Sequence, residues 1–520
     1  FQGYTALESI ALPFVGTQRG SSGDTFFGYV FGATSYSGNQ AAVPETLKSV
    51  VITDDATIAQ NAFYNCDTIT KVVVSESVTK IGSGAFKGCA TIEDITLPFV
   101  GSDRDSTSNI SYIFTTVPES LRRIKITDDT TIPNSAFSGL KTVTEIFIPE
   151  NVISIGSRAF QSCSSLRRLN SSEDGKFNIP VGVMKIAEYT FNNCVLLEDL
   201  ALGNNVTSIG SYAFSGCSLL SKFNSETTGE LIVPEGVTTI GDYAFKDVLL
   251  VTNVVVPETV GNLGLGVFQG CNAIEEITLP FVGNSLTAKN HDAVFGYIFG
   301  QATAYTHSGY LNSPNTNYVN KQIDDVENTV WQYSSYDGAE YRLGSWQYNL
   351  TSYYYYIPIS IKKVVITVQT DIPIAAFNNC NFIETIYIPN EVTSIDGYAF
   401  QNCLNLRRLN SEQDGLYNLP KSLVEISNYA FYSNAVLEKV TVGIEIANIG
   451  DYAFSGCNLL SEFNSNNGNE LIIPNGITSI GKYAFQNVLL VTKVVVSDTV
   501  ESIGVGAFNG CNSVEEITVP

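Results

Sequence analysis

The sequence predicts an α/β-type repeat solenoid: a right-handed superhelix of stacked parallel short strands and short helical turns, interrupted by one non-repeat insertion. Three observations carry this prediction: a recurring I-G-x-x-A-F-x-x-C segment, an alternating L-x-x-I-x-I-P segment after it, and a spacing between copies that is mostly 23 or 31 residues. One clear copy runs from Ile209-Gly210 through Ala213-Phe214 to Cys217. With the Phe of A-F as marker, fourteen copies occur between Phe63 and Phe508. Gly28-Tyr29-Val30-Phe31, Tyr112-Ile113-Phe114 and Gly296-Tyr297-Ile298-Phe299 read as degenerate copies marked by their last Phe, which makes seventeen internal rungs, and Phe1-Gln2-Gly3 is the tail of another. Self-similarity at this period is the signature of an array in which each unit buries its apolar side only against its neighbours.

Each element of the rung follows from its residues. In L-x-x-I-x-I-P, as at Leu7 to Pro13 or Val143 to Pro149, alternate apolar residues share one face of a strand and the proline ends it. The V-T-x-I-G that follows supplies a second short extended piece and a turn glycine, and x-x-A-F-x-x-C carries apolar residues at helical spacing. The 31-residue rungs contain an eight-residue excess rich in Asn, Ser, Glu and Gly, as between Asn224 and Pro234 and between Asn464 and Pro474, which reads as a hairpin-like protrusion on one edge. A longer period also shows, because Gln161 to Asn170 returns as Gln401 to Asn410 and Phe268 as Phe508, both 240 residues later. Each super-repeat opens with Leu-Pro-Phe-Val-Gly, found at 12–16, 97–101 and 279–283, and the array is expected to continue past Pro520.

Composition limits the function classes. Acidic residues outnumber basic ones 51 to 28, and a net charge of −23 repels phosphate backbones and anionic lipid surfaces. Nucleic acid is therefore a poor partner and none is expected, and no apolar stretch reaches the length of a membrane span, so this segment is not expected to insert. No nucleophile motif, phosphate-cradling glycine loop or metal constellation stands out, so no enzyme activity and no cofactor is expected.

Cys66, Cys89, Cys163, Cys194, Cys217, Cys271, Cys380, Cys403, Cys457 and Cys511 all stand three residues after the marker Phe, where other rungs place Leu140, Val248, Asn434 and Val488. Three of those four substitutes are apolar, so the position reads as a small buried slot and the cysteines as a core ladder rather than disulfides or zinc ligands. The histidines His291 and His307 read as exposed loop residues. Asp54-Asp55 and Asp128-Asp129 occupy equivalent turns, but the third such turn, near Gln369 and Thr370, has only Asp371, which favours solvated turns over calcium sites.

The largest irregularity exceeds a rung by 55 residues and falls at about Ala302 to Tyr356, dividing the array into 1–301, an aromatic-rich insertion 302–356, and 357–520. The insertion holds both tryptophans and eleven of the 27 tyrosines. Flat apolar rings with hydrogen-bonding rims suit stacking on sugars or protein hot spots, which nominates Trp331, Trp346, Tyr333, Tyr336, Tyr341, Tyr348, Tyr353 and Tyr354 as ligand-binding residues. The alternative is a small subdomain that packs its rings on the solenoid and binds nothing.

The repeated I-G-x-x-A-F-x-x-C and L-x-x-I-x-I-P segments resemble the BspA-like leucine-rich repeats over nearly the whole chain apart from the insertion. That resemblance implies a leucine-rich-repeat solenoid at a cell surface or secreted, with adhesin-type binding to host or neighbouring-cell proteins or glycans. A stalk or spacer role with end-to-end self-association is the other expectation, because terminal rungs can stack on one another. The degenerate rungs and the insertion depart from the regular pattern, so no binding residue carries over from the family.

Overall fold

The structure, a computed structural model, describes residues 1–20, 25–309, 329–336, 340–342 and 345–519; from 302 to 356 the description is of the backbone, Tyr355 excepted. The chain forms two compact units, Phe1–Leu250 and Val251–Pro520.

In the first unit the L-x-x-I-x-I-P segments form short strands that pair in parallel and in register, for example Lys71–Val74 with Asp94–Leu97 and that strand with Arg123–Ile126. The alternation acts as expected: Val72, Val74, Ile95, Leu97, Ile124 and Ile126 are buried, while Lys71, Arg123 and Lys125 face outwards. The I-G segments make a second, narrower parallel ladder, as in Thr131–Ile132, Ser154–Ile155, Lys185–Ile186, Ser208–Ile209 and Thr239–Ile240. In the second unit the main ladder includes Glu276–Leu279, Lys363–Ile366 and Thr385–Tyr387, and the narrow one runs from Asp371–Ile372 to Ser502–Ile503.

The A-F segment closes the third side, and it is built of successive tight turns rather than helix. The residue two before the Phe and the residue two after it take left-handed backbone angles, as at Asn61 (φ 56°) and Asn65 (φ 54°) or Tyr189 (φ 57°) and Asn193 (φ 59°). Each such residue ends a turn before a helix can propagate, which is why helical spacing does not yield helices here. The orphaned backbone groups bond to the next rung instead: the amide of Phe63 donates to the Ala85 carbonyl (2.7 Å), Phe137 to Ala159 (2.8 Å) and Phe377 to Ala399 (2.7 Å). Gly82 serves this closeness rather than a special φ, since a Cβ there would lie 2.3 Å from the Gln60 nitrogen.

The phenylalanines stack from rung to rung, with centroids 5.4 Å apart for Phe137–Phe160, 5.2 Å for Phe160–Phe191 and 5.3 Å for Phe400–Phe431. Two degenerate rungs are corrected here: the ring that joins the stack is Phe27, on Phe63 at 4.8 Å, and Phe295, beside Phe377 at 5.4 Å, not Phe31 and Phe299. Short 3-10 helices over Phe27–Phe31 and Phe295–Phe299 place the earlier ring in the column. The later ring packs edge-on against it, at 5.5 and 5.3 Å.

The eight-residue excess of the 31-residue rungs is not a protrusion. It returns into the main ladder as an extra parallel strand, Lys176–Asn178 beside Arg168–Leu169, with the same arrangement at Glu230–Ile232, Leu416–Asn418 and Glu470–Ile473. The cause is one core residue in each excess, Phe177, Leu231, Tyr417 or Leu471, every one buried.

The Asp-Asp turns are also corrected, because Asp55 and Asp129 are buried rather than solvated. The Asp55 carboxylate accepts from the Val15 amide (2.9 Å), the Gly20 amide (3.2 Å) and the Ala56 amide (2.8 Å), and so pins the Leu-Pro-Phe-Val-Gly bend. Asp129 accepts from Val100 (2.9 Å), and Gln369 performs the same task for Val282 (2.8 Å) through its amide oxygen. Asp54 and Asp128 pair with Arg19 and Arg104.

Two predictions follow from this packing. Tyr417 and Asn434 stand where Phe177 and Cys194 stand 240 residues earlier, and the buried Tyr417 hydroxyl lies 3.2 Å from the Asn434 side-chain oxygen. Tyr417→Phe should cost about 1–3 kcal/mol by removing this contact and the 2.8 Å hydrogen bond from the same hydroxyl to the Leu406 carbonyl. Adding Asn434→Cys should restore part of it in a urea unfolding curve, whereas additive losses would refute the coupling. The second concerns Asp129, whose Oδ1 is buried without a partner and whose carboxyl burial pushes up to about 6. The native state then holds its proton more tightly than the unfolded chain, so this group makes stability fall as pH rises from about 4 to about 6. Asp129→Asn should remove this downward contribution and so shift the slope of Tm against pH in the positive direction across that window, and an unchanged slope would contradict the assignment.

Candidate functional site

The outward positions of the main ladder form a surface that the sequence reading left undifferentiated. Across five successive strands of the first unit, one column reads Lys71, Asp94, Arg123, Glu145 and Arg168, each in register with the next. The signs alternate, and neighbours pair at 3.9, 3.4, 2.8 and 3.6 Å, with Asp174 continuing from Arg168 at 3.3 Å. Hydrogen bonding to Glu145 raises the Arg123 guanidinium above its ordinary value. The exposed pairs, such as Lys71–Asp94, are worth at most about 1 kcal/mol each, whereas the buried Glu145 carboxylate relies on Arg123 and Arg168 together for its compensation. The effect of the column is on recognition: in a strongly acidic chain this strip is charge-balanced. Tabulating one motif position across rungs would have exposed the alternation.

A second regular surface lies on the turn side. Tyr189, Tyr212 and Tyr243 stack at 4.8 and 5.0 Å, with the Arg158 guanidinium 4.7 Å over the Tyr189 ring. In the second unit Tyr398, Tyr429, Tyr452 and Tyr483 stack at 5.0, 4.8 and 5.0 Å. All seven occupy left-handed positions, a strain on the order of 1–2 kcal/mol per residue that the stacking offsets in part.

The insertion forms antiparallel strands around Ser345–Pro358, which pairs with Gln301–Gly309 on one side and Thr329–Tyr336 on the other, while Glu340–Arg342 pairs with its start. Tyr355 and Ile357 are buried, and the Tyr355 hydroxyl donates to the His291 carbonyl at 3.0 Å. The register places Trp331 and Tyr333 beside positions 356 and 354 and, nearer the start of the same strand, Tyr341 beside position 346; these positions and 348 are in phase with one another and out of phase with 355 and 357. Tyr336 and Tyr353 fall in phase with Tyr355 instead. The side chains of these eight nominated residues lie outside the described residues. His307 is placed by its backbone alone, opposite Leu350, and His291 sits in a 3-10 turn with its Nε2 3.0 Å from Asp292.

The ten cysteines are free thiols, nine of them buried and Cys511 partly so. Seven have a described reach to the preceding rung, where the thiol donates to the Phe carbonyl, as Cys89 to Phe63 (2.9 Å), Cys163 to Phe137 (3.1 Å) and Cys403 to Phe377 (3.1 Å). Asn434 makes the same bond to Phe400 through its amide (2.9 Å), so the position supplies a donor as well as filling a slot. Burial pushes Cys163 and Cys217 up to about 12, leaving the thiolate out of reach at neutral pH. Native-state alkylation at pH 8 should therefore modify Cys511 first and spare the others until denaturant is added; rapid labelling of Cys163 or Cys217 would contradict this.

Among the described residues no group of three or more His, Cys, Asp or Glu could hold a metal ion, and no helix is long and apolar enough to cross a membrane. The model of the BspA type leucine-rich repeat region matches in six copies, which fall within 56–177, 130–232, 221–293, 370–472 and 460–520, together more than half of the chain. No curated protein matches. Among solved structures, a leucine-rich repeat protein from Bacteroides ovatus is 23% identical over 76% of this chain and 86% of its own, with a TM-score of 0.42. A leucine-rich cell surface protein from Faecalibacterium prausnitzii is 18% identical over 90% and 86%, with a TM-score of 0.23. A leucine-rich repeat protein from T. pallidum is 25% identical over 33% and 77%, with a TM-score of 0.22. Strand ladders, turn column and matched repeats agree: the chain belongs to the BspA type leucine-rich repeat family.

Proposed function

We propose that this protein is a non-enzymatic binding scaffold, exposed at a cell surface or secreted, that engages a host or neighbouring-cell protein or glycan through the insertion at 302–356 and the open face of its strand ladder. The observation that carries this reading is the phase of the insertion's aromatics. Six of the eight nominated residues stand in phase with one another along the paired strands and out of phase with the buried Tyr355 and Ile357. Tryptophan and tyrosine at positions in phase along paired strands match the composition of protein hot spots and of sugar-stacking surfaces.

The surface location rests on the family, in which the F. prausnitzii relative is described as a cell surface protein. The charge-balanced strip from Lys71 to Asp174 supports a protein or glycan partner over nucleic acid, since a net charge of −23 opposes any polyanion.

The test compares the whole chain with a version lacking 302–356 on immobilised matrix proteins, mucins and glycans, with light scattering on both. Saturable binding lost in the deletion is expected. Absence of binding together with concentration-dependent end-to-end assembly of both forms would replace the binding reading with a structural one.

A further inference from the structure

In the second unit a cleft of about 590 Å³ opens where the main ladder turns over into the next segment. Its walls include Asn390, Asn410, Asn418, Lys421, Thr441 and Ile444. In a chain with 51 carboxylates, none of the residues lining this cleft is acidic, although Glu391 and Glu445 adjoin lining residues in sequence. Lys421, an exposed residue, is the one cationic residue among those lining the cleft, and among the described residues its side chain makes no ion pair. Leu419 and Val442 add apolar surface, and Ile444 stands 83% exposed beside them.

The amides and hydroxyl form a connected set. Thr441 Oγ1 donates to Asn418 Oδ1 (2.7 Å), Asn418 Nδ2 donates to the Asn410 carbonyl (3.1 Å), and Asn410 Oδ1 accepts from the Ile388 amide (2.8 Å). Asn410 Nδ2 is buried with no partner, an unmet donor of the kind that native folds rarely leave without a reason. Gly443 lets its backbone approach that of Lys421 closely, since a Cβ there would come 2.5 Å from the Lys421 carbonyl oxygen.

The super-repeat shows which of these groups the scaffold itself needs. Asn410, Asn418 and Gly443 repeat Asn170, Asn178 and Gly203, and so belong to the rung architecture. The walls differ: Glu150, Val181 and Ala201 of the first copy become Asn390, Lys421 and Thr441. All three changes go from acidic or apolar to neutral hydrogen-bonding or cationic, and all three fall on one cleft.

From this we infer that the cleft binds a saccharide unit carrying a carboxylate, of the uronic or sialic acid type. Sugar hydroxyls both donate and accept, which matches side-chain amides and a threonine hydroxyl; Lys421 supplies the charge for the carboxylate; and the Ile444 side suits the apolar C–H face of a pyranose ring. The inference adds a ligand class and a second site to the binding-scaffold reading, and it stands or falls separately from the insertion.

The test titrates the full chain calorimetrically with glucuronic-acid-terminated and sialic-acid-terminated oligosaccharides and with the carboxyl-reduced form of each. Lys421→Val and Thr441→Ala import the residues that the first super-repeat carries at the same positions, so both variants should keep the wild-type melting curve. Saturable binding of one acidic sugar is expected, weakened about tenfold by carboxyl reduction and to a similar degree by Lys421→Val, with a smaller loss for Thr441→Ala. Deleting 302–356 should leave this affinity intact. No saturable heat with either acid, equal affinity for acid and reduced sugar, or unchanged binding in Lys421→Val would overturn the assignment.

Discussion

The constraint on which everything else depends is the rise between adjacent parallel strands, about 4.8 Å. Once backbone pairing fixes that rise, every position of the rung meets its own equivalent at close to the same distance. Residues that gain from meeting a copy of themselves can then form columns. Phenylalanine gains by stacking, tyrosine by stacking at the surface, and cysteine by donating to the carbonyl of the rung before. Identical charges would repel in such a column, and the outward one avoids this by alternating sign from Lys71 to Arg168.

The 240-residue super-repeat supplies an internal comparison of sequence change on a common backbone. Where Phe177 and Cys194 become Tyr417 and Asn434, the added polar atoms meet one another, so a buried hydroxyl and amide are gained together. Where Arg19–Asp54 and Arg104–Asp128 give way to Leu286 and Val368, a surface ion pair is replaced by two apolar residues in the copy that also carries the insertion. The buried acceptor in the same turn survives all three versions, as Asp55, Asp129 and Gln369, because the Leu-Pro-Phe-Val-Gly bend always presents an amide to it. Compensation of this sort marks scaffold; replacement of acidic or apolar side chains by polar ones around a single cleft, as at Asn390, Lys421 and Thr441, marks surface free to acquire a task.

Much of the fold was legible because period and polarity are written in the sequence: the alternation in L-x-x-I-x-I-P foretold the buried face, and the fixed Phe-to-Cys offset foretold a ladder. What was not legible depended on backbone geometry that composition does not encode. The polar residues around Asn224 and Asn464 suggested an outward loop, yet one buried Leu in each segment draws it into the sheet. Helical spacing in A-F-x-x-C suggested helix, but left-handed residues such as Asn61 and Tyr189 interrupt it within a turn. Asp55 and Asp129 looked solvent-facing because a buried carboxylate is rare unless something fixes it, and what fixes it is a backbone amide from the rung before. The aromatic insertion was visible as composition, whereas the shared phase of its residues needed the strand register.

The most direct test of the account is amide hydrogen exchange across the whole chain. If rung-to-rung pairing governs the structure, slow exchange recurs with the rung period in both units and includes the segments 176–178, 230–232, 416–418 and 470–473, with the Phe amides of the turn column equally protected. Exchange at unstructured-loop rates in those four segments, or in the Phe amides, would contradict a solenoid in which every rung, long or short, is closed by its neighbour.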